Sequence, residues 1–568
     1  MRTTRSLTIL FLTGTLWAQN PKIHPDLANA APRETVRVIV QYRDAPNQSK
    51  QERVRVLGGT IHQELELVRA HAVSLPGSQL EWLATDPDVK AIVPDYRVSA
   101  SLDTAAPAVN ASAAWTAHQI GSGIGVAVID SGVSPHNDLG GRIVYNQDFT
   151  GEGQNADLYG HGTHVAGIIA GDGTRSEGES YFKTFKGMAP GVNIISLRAL
   201  NSQGAGTDST VIAAIQKAIS LKSQYNIRVI NLSLGRPVSG SYVSDPLCQA
   251  VESAWKSGIV VVVSAGNYGR TNNSGVDGYG TITAPGNDPY VITVGAMKTM
   301  GTPGRSDDLI ASYSSKGPTL YDHIVKPDLV APGNQVHSLL GNGMPYLFPT
   351  YTTTQLLCSY YQFFCGTGMS HDYYVLNGTS MAAPMVTGAA AIIIGAHPTL
   401  TPDQVKARLM KTAYKSFPAS STVIANGNAY TAYYDVFTVG AGYLDIQAAL
   451  NSTDVATGNA LSPSLLYNSS TDTGTLKYAT GSAFQASGLF GSSLVWGTAQ
   501  LVNGSSIVWG TSDTWSTSIV WGTAGPNAFS IVWGTGTNGS VNPTSIVWGT
   551  SFQTGAIDPL TAILTNGE

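Results

Sequence analysis

The sequence predicts an α/β protein: a parallel sheet with helices on both faces, preceded by a small α+β unit and followed by a β-rich repeat tail. Three observations carry this. Between residues 105 and 451, fully apolar runs of strand length alternate with helical stretches. Such runs suit strands buried on both faces, and alternation with helices is the pattern of a parallel sheet. Before them, residues 34–100 mix shorter strand and helix patterns, and after residue 452 one hexapeptide recurs five times.

In the first unit, Thr35 to Tyr42 alternates apolar and polar residues as a strand does. Gln48 to Leu57 is charged and helical, with Gly58-Gly59 placed to end it. Strands are expected over Ile61–Val68 and Ala72–Leu75, a second helix over Leu80–Thr85 and a last strand over Val89–Val93. In the central region the buried strands are Ile124–Ile129, Ile194–Leu197, Val229–Leu232 and Ile259–Val263. Helices are expected at Gly162–Gly171, Ser209–Leu221 and Leu247–Ser257, with a short one after Gly440-Ala441-Gly442-Tyr443-Leu444-Asp445.

The tail, residues 452–568, is nearly devoid of charge. Ser493-Leu494-Val495-Trp496-Gly497-Thr498 is followed by four copies of Ser-Ile-Val-Trp-Gly-Thr, placing tryptophans at 496, 509, 521, 533 and 548. Self-similarity at a short step implies one strand per repeat, each covering its neighbour. Two readings stand for it: a spacer or surface-associating tail, and a carbohydrate or cell-surface module that uses the tryptophans.

Composition narrows the function classes. Charged residues make up 12 per cent, about half the usual share, and the net charge is −5 without a basic stripe. That argues against nucleic acid as a partner. Arg2 and Arg5, the apolar run Leu7–Trp17 and Ala18 form the charged, apolar and small-residue parts of a secretory signal peptide over residues 1–18. No second stretch of about 18 unbroken apolar residues follows, so no transmembrane segment is expected. Export permits disulfides. Cys358 and Cys365 can close a small loop or stay apart, and Cys248 has no evident mate.

Three segments carry chemistry. Val126-Ala127-Val128-Ile129-Asp130-Ser131-Gly132 ends an apolar strand on a carboxylate, and His161-Gly162-Thr163-His164 opens a helix. Asn377-Gly378-Thr379-Ser380-Met381-Ala382-Ala383-Pro384 places a serine at the start of another. A serine hydroxyl needs a base to become nucleophilic, a neutral histidine can serve near pH 7, and a carboxylate fixes that histidine's tautomer. The chain order Asp, His, Ser differs from that of other folds bearing the same three groups.

Together these segments resemble the subtilisin-like serine proteases (subtilases). The resemblance implies that Asp130 orients, His161 is acid and base, and Ser380 attacks the peptide carbonyl. It further implies that Asn267, ending Ile259-Val260-Val261-Val262-Val263-Ser264-Ala265-Gly266-Asn267, donates to the oxyanion. Ser233-Leu234-Gly235 would pair with substrate backbone, and Ala265 and Gly266, after Ser264, would form the opposite wall. Both walls are small and uncharged, so with the resemblance they imply broad cleavage with a preference for apolar side chains. His164 is implied to be structural, and His136, His323 and His371 carry no motif.

By the same resemblance, residues 19–104 are a propeptide that acts as an intramolecular inhibitor, and residues 105–451 are the catalytic domain. No cofactor is required for the chemistry, and Asp138 matches a family position for structural calcium. The long Tyr-rich segment between Gly333 and Gly378 departs from the family pattern; it either walls the cleft or packs outward. The sequence therefore implies a secreted serine endopeptidase acting on polypeptides, with the tail a candidate for cell-surface or matrix association. A surface-binding protein with a silent protease domain is the rival reading, and the intact Asp130, His161, Ser380 and Asn267 speak against it.

Overall fold

The computed structural model describes residues 20–24, 27, 35–94, 104–271, 278–425, 427–468, 473–484, 500–502, 506–508, 563, 564 and 567. The signal-peptide segment, and all repeat copies except three residues of one, lie outside the described residues. Chain contacts divide the molecule into two compact units, residues 1–100 and 101–568.

The first unit contains β1 (Thr35–Tyr42), α1 (Gln48–Val56), β2 (Thr60–Leu65), β3 (Ala70–Pro76), α2 (Leu80–Ala84) and β4 (Val89–Pro94). Its antiparallel sheet runs in the order β2-β3-β1-β4. Asn47 caps α1 by accepting from the Lys50 N–H, which satisfies one of the donors a helix start leaves open. Val38, Val40, Val54, Val73, Leu80 and Leu83 form its core. Each element lies within a few residues of its expected place.

The second unit opens with the short helices α3 (Ala105–Ala108) and α4 (Ala111–Thr116). Its eight-stranded sheet comprises β5 (Gly125–Asp130), β6 (Ile143–Asp148), β7 (Asn193–Arg198), β8 (Ile227–Leu232), β9 (Val260–Ser264), β10 (Ile292–Lys298), β11 (Leu309–Ile310) and β12 (Leu329–Pro332). The order is β11-β10-β9-β8-β5-β7-β6, with β12 also on β10; only the β11 pairing is antiparallel. β5 lies between β8 and β7; the chain runs from β5 to the edge strand β6, returns to β7, and then crosses to β8 on the other side of β5. A crevice forms at the carboxyl ends of strands where such an order reverses.

Helices α5 (His161–Ala170) and α9 (Thr379–Ala396) pack together on the sheet, while α6 (Asp208–Tyr225) and α7 (Pro246–Lys256) pack together against its strands. α9 has a mean hydropathy of 1.5 over 18 residues, enough in length and composition to cross a membrane, but 83% of it is buried inside the protein. It is the central core helix, which explains why it tolerates so few polar residues.

The segment before α9 builds its own three-stranded sheet from β13 (Val336–Leu339), β14 (Gln355–Leu357) and β15 (Met369–Leu376), with α8 (Leu347–Thr350) between. Then follow α10 (Pro402–Thr412), the hairpin β16 (Ser420–Ala425) and β17 (Asn428–Tyr433), α11 (Ile446–Asn451), β18 (Ser464–Asn468) and β19 (Thr473–Lys477). Of the repeats, Ser506–Val508 forms a short strand between β19 and Gln500–Val502.

Residues beyond the expected boundary at 451 pack into the second unit. Ala460, Leu465, Leu476 and Phe484 are buried in the same core as the sheet. Ser462 Oγ donates to Asp328 (2.5 Å) and lies 2.8 Å from the Lys406 ammonium. The low charge of this stretch hid its membership, because only distant partners in the chain reveal it. Asp328 is fully buried and pairs with both Lys326 (2.6 Å) and Lys406 (3.3 Å). Burial pushes the Lys406 pKa down to about 7 against the pull of that carboxylate. Asp328→Ala strands two buried ammonium groups, and we expect a loss of about 3–5 kcal/mol, read as a lower urea midpoint.

Candidate active site

Asp130 is the last residue of β5, and its side chain is fully buried at the sheet's switch point. His161 is the first residue of α5, entered through Gly160 at φ 105°. The helix start can approach the strand end because residue 162 has no side chain. A Cβ there would lie 2.1 Å from the Gly132 carbonyl oxygen and 3.2 Å from Asp130 Cβ. The result is a hydrogen bond from His161 Nδ1–H to Asp130 Oδ1 of 2.7 Å. The Ser131 backbone N–H donates to the same oxygen at 2.7 Å.

Burial favours the neutral imidazole, but the charge and hydrogen bond of Asp130, with the charge of Asp157 behind, outweigh it and raise the His161 pKa above 6.5. Asp157 was not singled out from the sequence. It is buried, accepts from Ser131 Oγ–H (2.8 Å) and the Gly160 N–H (2.7 Å) through one oxygen, and from the Thr163 N–H (2.7 Å) through the other. It thereby fixes the turn into α5. No periodicity marks it; a buried carboxylate four residues before the histidine was the only available signal.

His164 sits one turn further along α5, 3.0 Å from the Val336 carbonyl through Nε2 and edge-on to the Tyr374 ring. Burial holds its pKa well below 6.5, so it stays neutral and structural. His136 is also buried, its Nδ1 accepting from the Asp138 N–H.

Ser380 is the second residue of α9, after Gly378 at φ 135°. Four residues on stands Pro384, which has no N–H to return to the Ser380 carbonyl. That carbonyl accepts instead from Ser233 Oγ–H at 2.7 Å, while Ser380 Oγ–H donates to the Ser233 carbonyl at 3.1 Å. Ser233 is in turn held by Asn231 Nδ2–H (2.9 Å), and Asn231 Oδ1 by Thr387 of α9 (2.7 Å). The serine and the end of β8 are thus clasped together. The helix N-terminus beneath Ser380 favours negative charge developing there.

Asn267 lies just past β9. Its Oδ1 accepts from the Thr379 N–H (2.9 Å) and Thr379 Oγ–H (3.0 Å), which leaves Nδ2 as the donor end. A Cβ on Gly378 would stand 3.1 Å from that nitrogen, so glycine keeps the space beside the amide open. Thr379 is a second residue that the sequence reading passed over, although it lies inside the motif.

Ser233, Leu234 and Gly235 run on from β8 outside any ladder, and Ala265 and Gly266 run on from β9. Thr283 sits between the two segments. A Cβ on Gly235 would meet its Oγ1 at 2.5 Å, and one on Gly266 its Cγ2 at 2.8 Å. Gly266 N–H donates to Thr379 Oγ1 (3.1 Å), tying this wall to the serine turn. All these residues are small or apolar and uncharged.

The Tyr-rich insertion makes two sets of contacts. Tyr346 N–H and Leu347 N–H bond the carbonyls of Leu158 and Tyr159 (2.8 and 3.1 Å), just ahead of His161, and the Tyr346 and Tyr159 rings stack. The part joined by the Cys358–Cys365 disulfide, Cα–Cα 5.9 Å, packs against residues 181–185, with Cys358 and Tyr361 buried. There Tyr361 stacks on Tyr181, and Phe363 meets Phe182. Cys248 is free and buried.

The expectation of calcium at Asp138 does not fit the donor set. Its carboxylate is buried, one oxygen accepting from the Arg175 N–H (2.7 Å) and the other from Tyr373 O–H (2.5 Å). The Arg142 guanidinium reaches the Asp138 carbonyl (2.6 Å) and Asp172. Among the described residues no group of three or more His, Cys, Asp or Glu side chains is gathered to hold a metal. Both oxygens that a cation would use are taken by protein donors, and Tyr373 comes from the insertion.

The subtilase family model matches residues 121–462. The chain belongs to that family and is a serine endopeptidase, a hydrolase of peptide bonds. It is 37% identical over 331 residues to the serine protease AprX of Bacillus subtilis, covering 56% of this chain and 68% of that protein. It is 35% identical over 332 residues to subtilisin DY of Bacillus licheniformis, covering 58% and 91%. With subtilisin E of Bacillus subtilis it shares 32% over 406 residues, covering 70% and 85%.

Removing the tyrosine hydroxyl tests the reading of Asp138. Tyr373→Phe leaves a buried carboxylate oxygen without its donor and is expected to cost about 1–3 kcal/mol in thermal or urea unfolding, with no recovery on adding calcium. Recovery by calcium would show that a cation can take the site after all.

Proposed function

We propose that the chain is a secreted endopeptidase made as a self-inhibited precursor, with Asp130, His161 and Ser380 as its catalytic triad. The observation that carries this reading is the buried 2.7 Å bond between His161 and Asp130 at the switch point. It fixes the imidazole tautomer with Nδ1 protonated and Nε2 free to act as base. Ser380 Oγ turns from the Ser233 carbonyl towards His161 as the substrate carbonyl arrives, gives up its proton and forms the acyl-enzyme. Asn267 Nδ2–H and the helix N-terminus stabilise the oxyanion. His161 then returns the proton to the leaving amine, and water completes hydrolysis by the same route.

Substrate backbone lies between Ser233-Leu234-Gly235 and Ala265-Gly266, in the β-augmentation mode. The uncharged walls around Thr283 suit apolar side chains on the acyl side of the scissile bond. Residues 19–104 act as propeptide, a role supported by the separate compact unit that ends at Ala100. Residues 1–18 direct export, and the repeat tail serves as a spacer or attachment at the cell surface or matrix.

Expression of the precursor beside Ser380→Ala, with mass spectrometry of the fragments, tests the reading. Wild type is expected to shed residues up to about 104 and to cleave casein, and the variant to do neither. Two forms trimmed alike, with casein cleaved by both, would remove Ser380 from the mechanism. Asn267→Ala is expected to lower kcat by about 10²–10³-fold, the handicap established for the corresponding donor in subtilisin itself.

The pH profile provides an independent check. A base must be unprotonated, so kcat/KM rises with pH through the His161 pKa, and the acid limb should have its midpoint above 6.5. Asp130→Asn removes the charge that raises it. The midpoint of whatever activity survives, roughly 10⁴-fold lower, is then expected to move to lower pH.

A further inference from the structure

Asp308, just ahead of β11, is 3% exposed, and neither of its carboxylate oxygens meets a well-formed hydrogen bond. Tyr443 Oη and Arg305 Nη2 are buried in the same unmatched condition. A buried polar group without a partner destabilises a fold, and a buried charge does so more. Burial pushes the Asp308 pKa up to about 7; the nearby Tyr443 hydroxyl and the Arg305 charge pull against it, and Asp307 adds to it. Arg305 is committed elsewhere, to the Asp445 carboxylate (2.9 Å) and, through Nε, to the Ala108 carbonyl.

The register of the β10–β11 pair gives this carboxylate a neighbour. Lys298 stands opposite Leu309, so the next positions outward are Thr299 and Asp308. Directly opposed positions of an antiparallel pair share a face, about 5 Å apart. Thr299 Oγ1 is hydrogen-bonded to Thr104 Oγ1 at 2.7 Å. From Thr104 the chain runs inward: Ala105, Ala106 and Ala108 are buried, and Ile446 N–H donates to the Val109 carbonyl (2.9 Å). Asn110 Nδ2–H donates to both Asp445 oxygens, at 3.0 Å each. Residues 104–110 are thus fixed between Thr299 and Asp445, and by register their first residue lies beside the unmatched carboxylate. That residue is also where the propeptide is expected to end.

We propose that Asp308 is the seat for the α-ammonium group created at Thr104 or Ala105 when the propeptide is cut away. This rests on the precursor reading given above. Hydrolysis puts the hydroxyl of water on the carbonyl of the released segment and its proton on the amine that stays. Before the cut that nitrogen is an uncharged amide with a single N–H, which cannot neutralise a carboxylate. Afterwards it is an ammonium with three donors, a match for the Asp308 oxygens and Tyr443 Oη. The mature enzyme gains a buried ion pair that the precursor lacks, so cleavage itself locks the start of the catalytic unit.

The test begins with N-terminal sequencing of the processed enzyme. Its terminus is then acetylated with acetic anhydride near neutral pH, and the terminal peptide is quantified by mass spectrometry. Asp308→Asn and a synthetic peptide with the same first residues are treated alongside. An amine paired with a buried carboxylate is held as ammonium, so wild type is expected to react about ten-fold more slowly than the peptide or slower still. Asp308→Asn should react at close to the peptide's rate. Melting temperatures are read for the same substitution in the processed enzyme and in a precursor kept uncut by Ser380→Ala. It is expected to lower the first by several degrees and not to lower the second. If Asp308→Asn does not accumulate, the wild-type rate against the peptide still decides.

A wild-type terminus that reacts as fast as the peptide overturns the seat. So does an equal loss of melting temperature in processed enzyme and precursor, which would make Asp308 a prop of the β10–β11 turn. A mature terminus at a residue other than Thr104 or Ala105 sinks the seat and leaves the precursor reading standing. A wild-type chain that keeps its first unit sinks the precursor reading, and the seat with it.

Discussion

The arrangement depends on how closely α5 can approach the end of β5. A side chain at residue 162 would collide with the Gly132 carbonyl, and only glycine lets His161 reach a carboxylate buried in the sheet. That single contact sets the orientation of the imidazole. Asp157 and Ser131 tighten it by satisfying the backbone donors of the turn, so the geometry exists before any substrate arrives. In the proposed mechanism, a base that is already oriented needs no reorganisation in the transition state, where such costs would raise the barrier.

Ser380, the proposed nucleophile, is held by a different device. Pro384 deprives the Ser380 carbonyl of its helical partner, and Ser233 supplies one from the end of β8. The residue that clasps the serine turn also begins the strand expected to pair with substrate. The positions of Ser380 and of the segment proposed to hold substrate are therefore mechanically linked, and Thr379 extends the link to Asn267 and Gly266. A disturbance in any one of these segments reaches the others through one or two hydrogen bonds.

The insertion replaces one kind of stability with another. Tyr373 gives the Asp138 carboxylate an internal O–H donor where the resemblance led us to expect a cation. Its neighbours Tyr346 and Tyr374 bond the backbone just before His161. One added segment thus braces the Asp138 turn and flanks the histidine.

Much of this was legible in the sequence, for a physical reason. Asp130, His161, Ser380 and Asn267 each sit in a local context, an apolar strand or a helix start next to small residues, and local context is written in neighbouring letters. The same holds for the strands and helices of both units, whose periodicity follows from which faces are buried. What only the tertiary structure decided are contacts between residues distant in the chain. Tyr373 on Asp138, Ser233 on Ser380, Ser462 on Asp328 and Thr104 on Thr299 leave no periodic trace, because each depends on where the folded backbone brings two unrelated segments together.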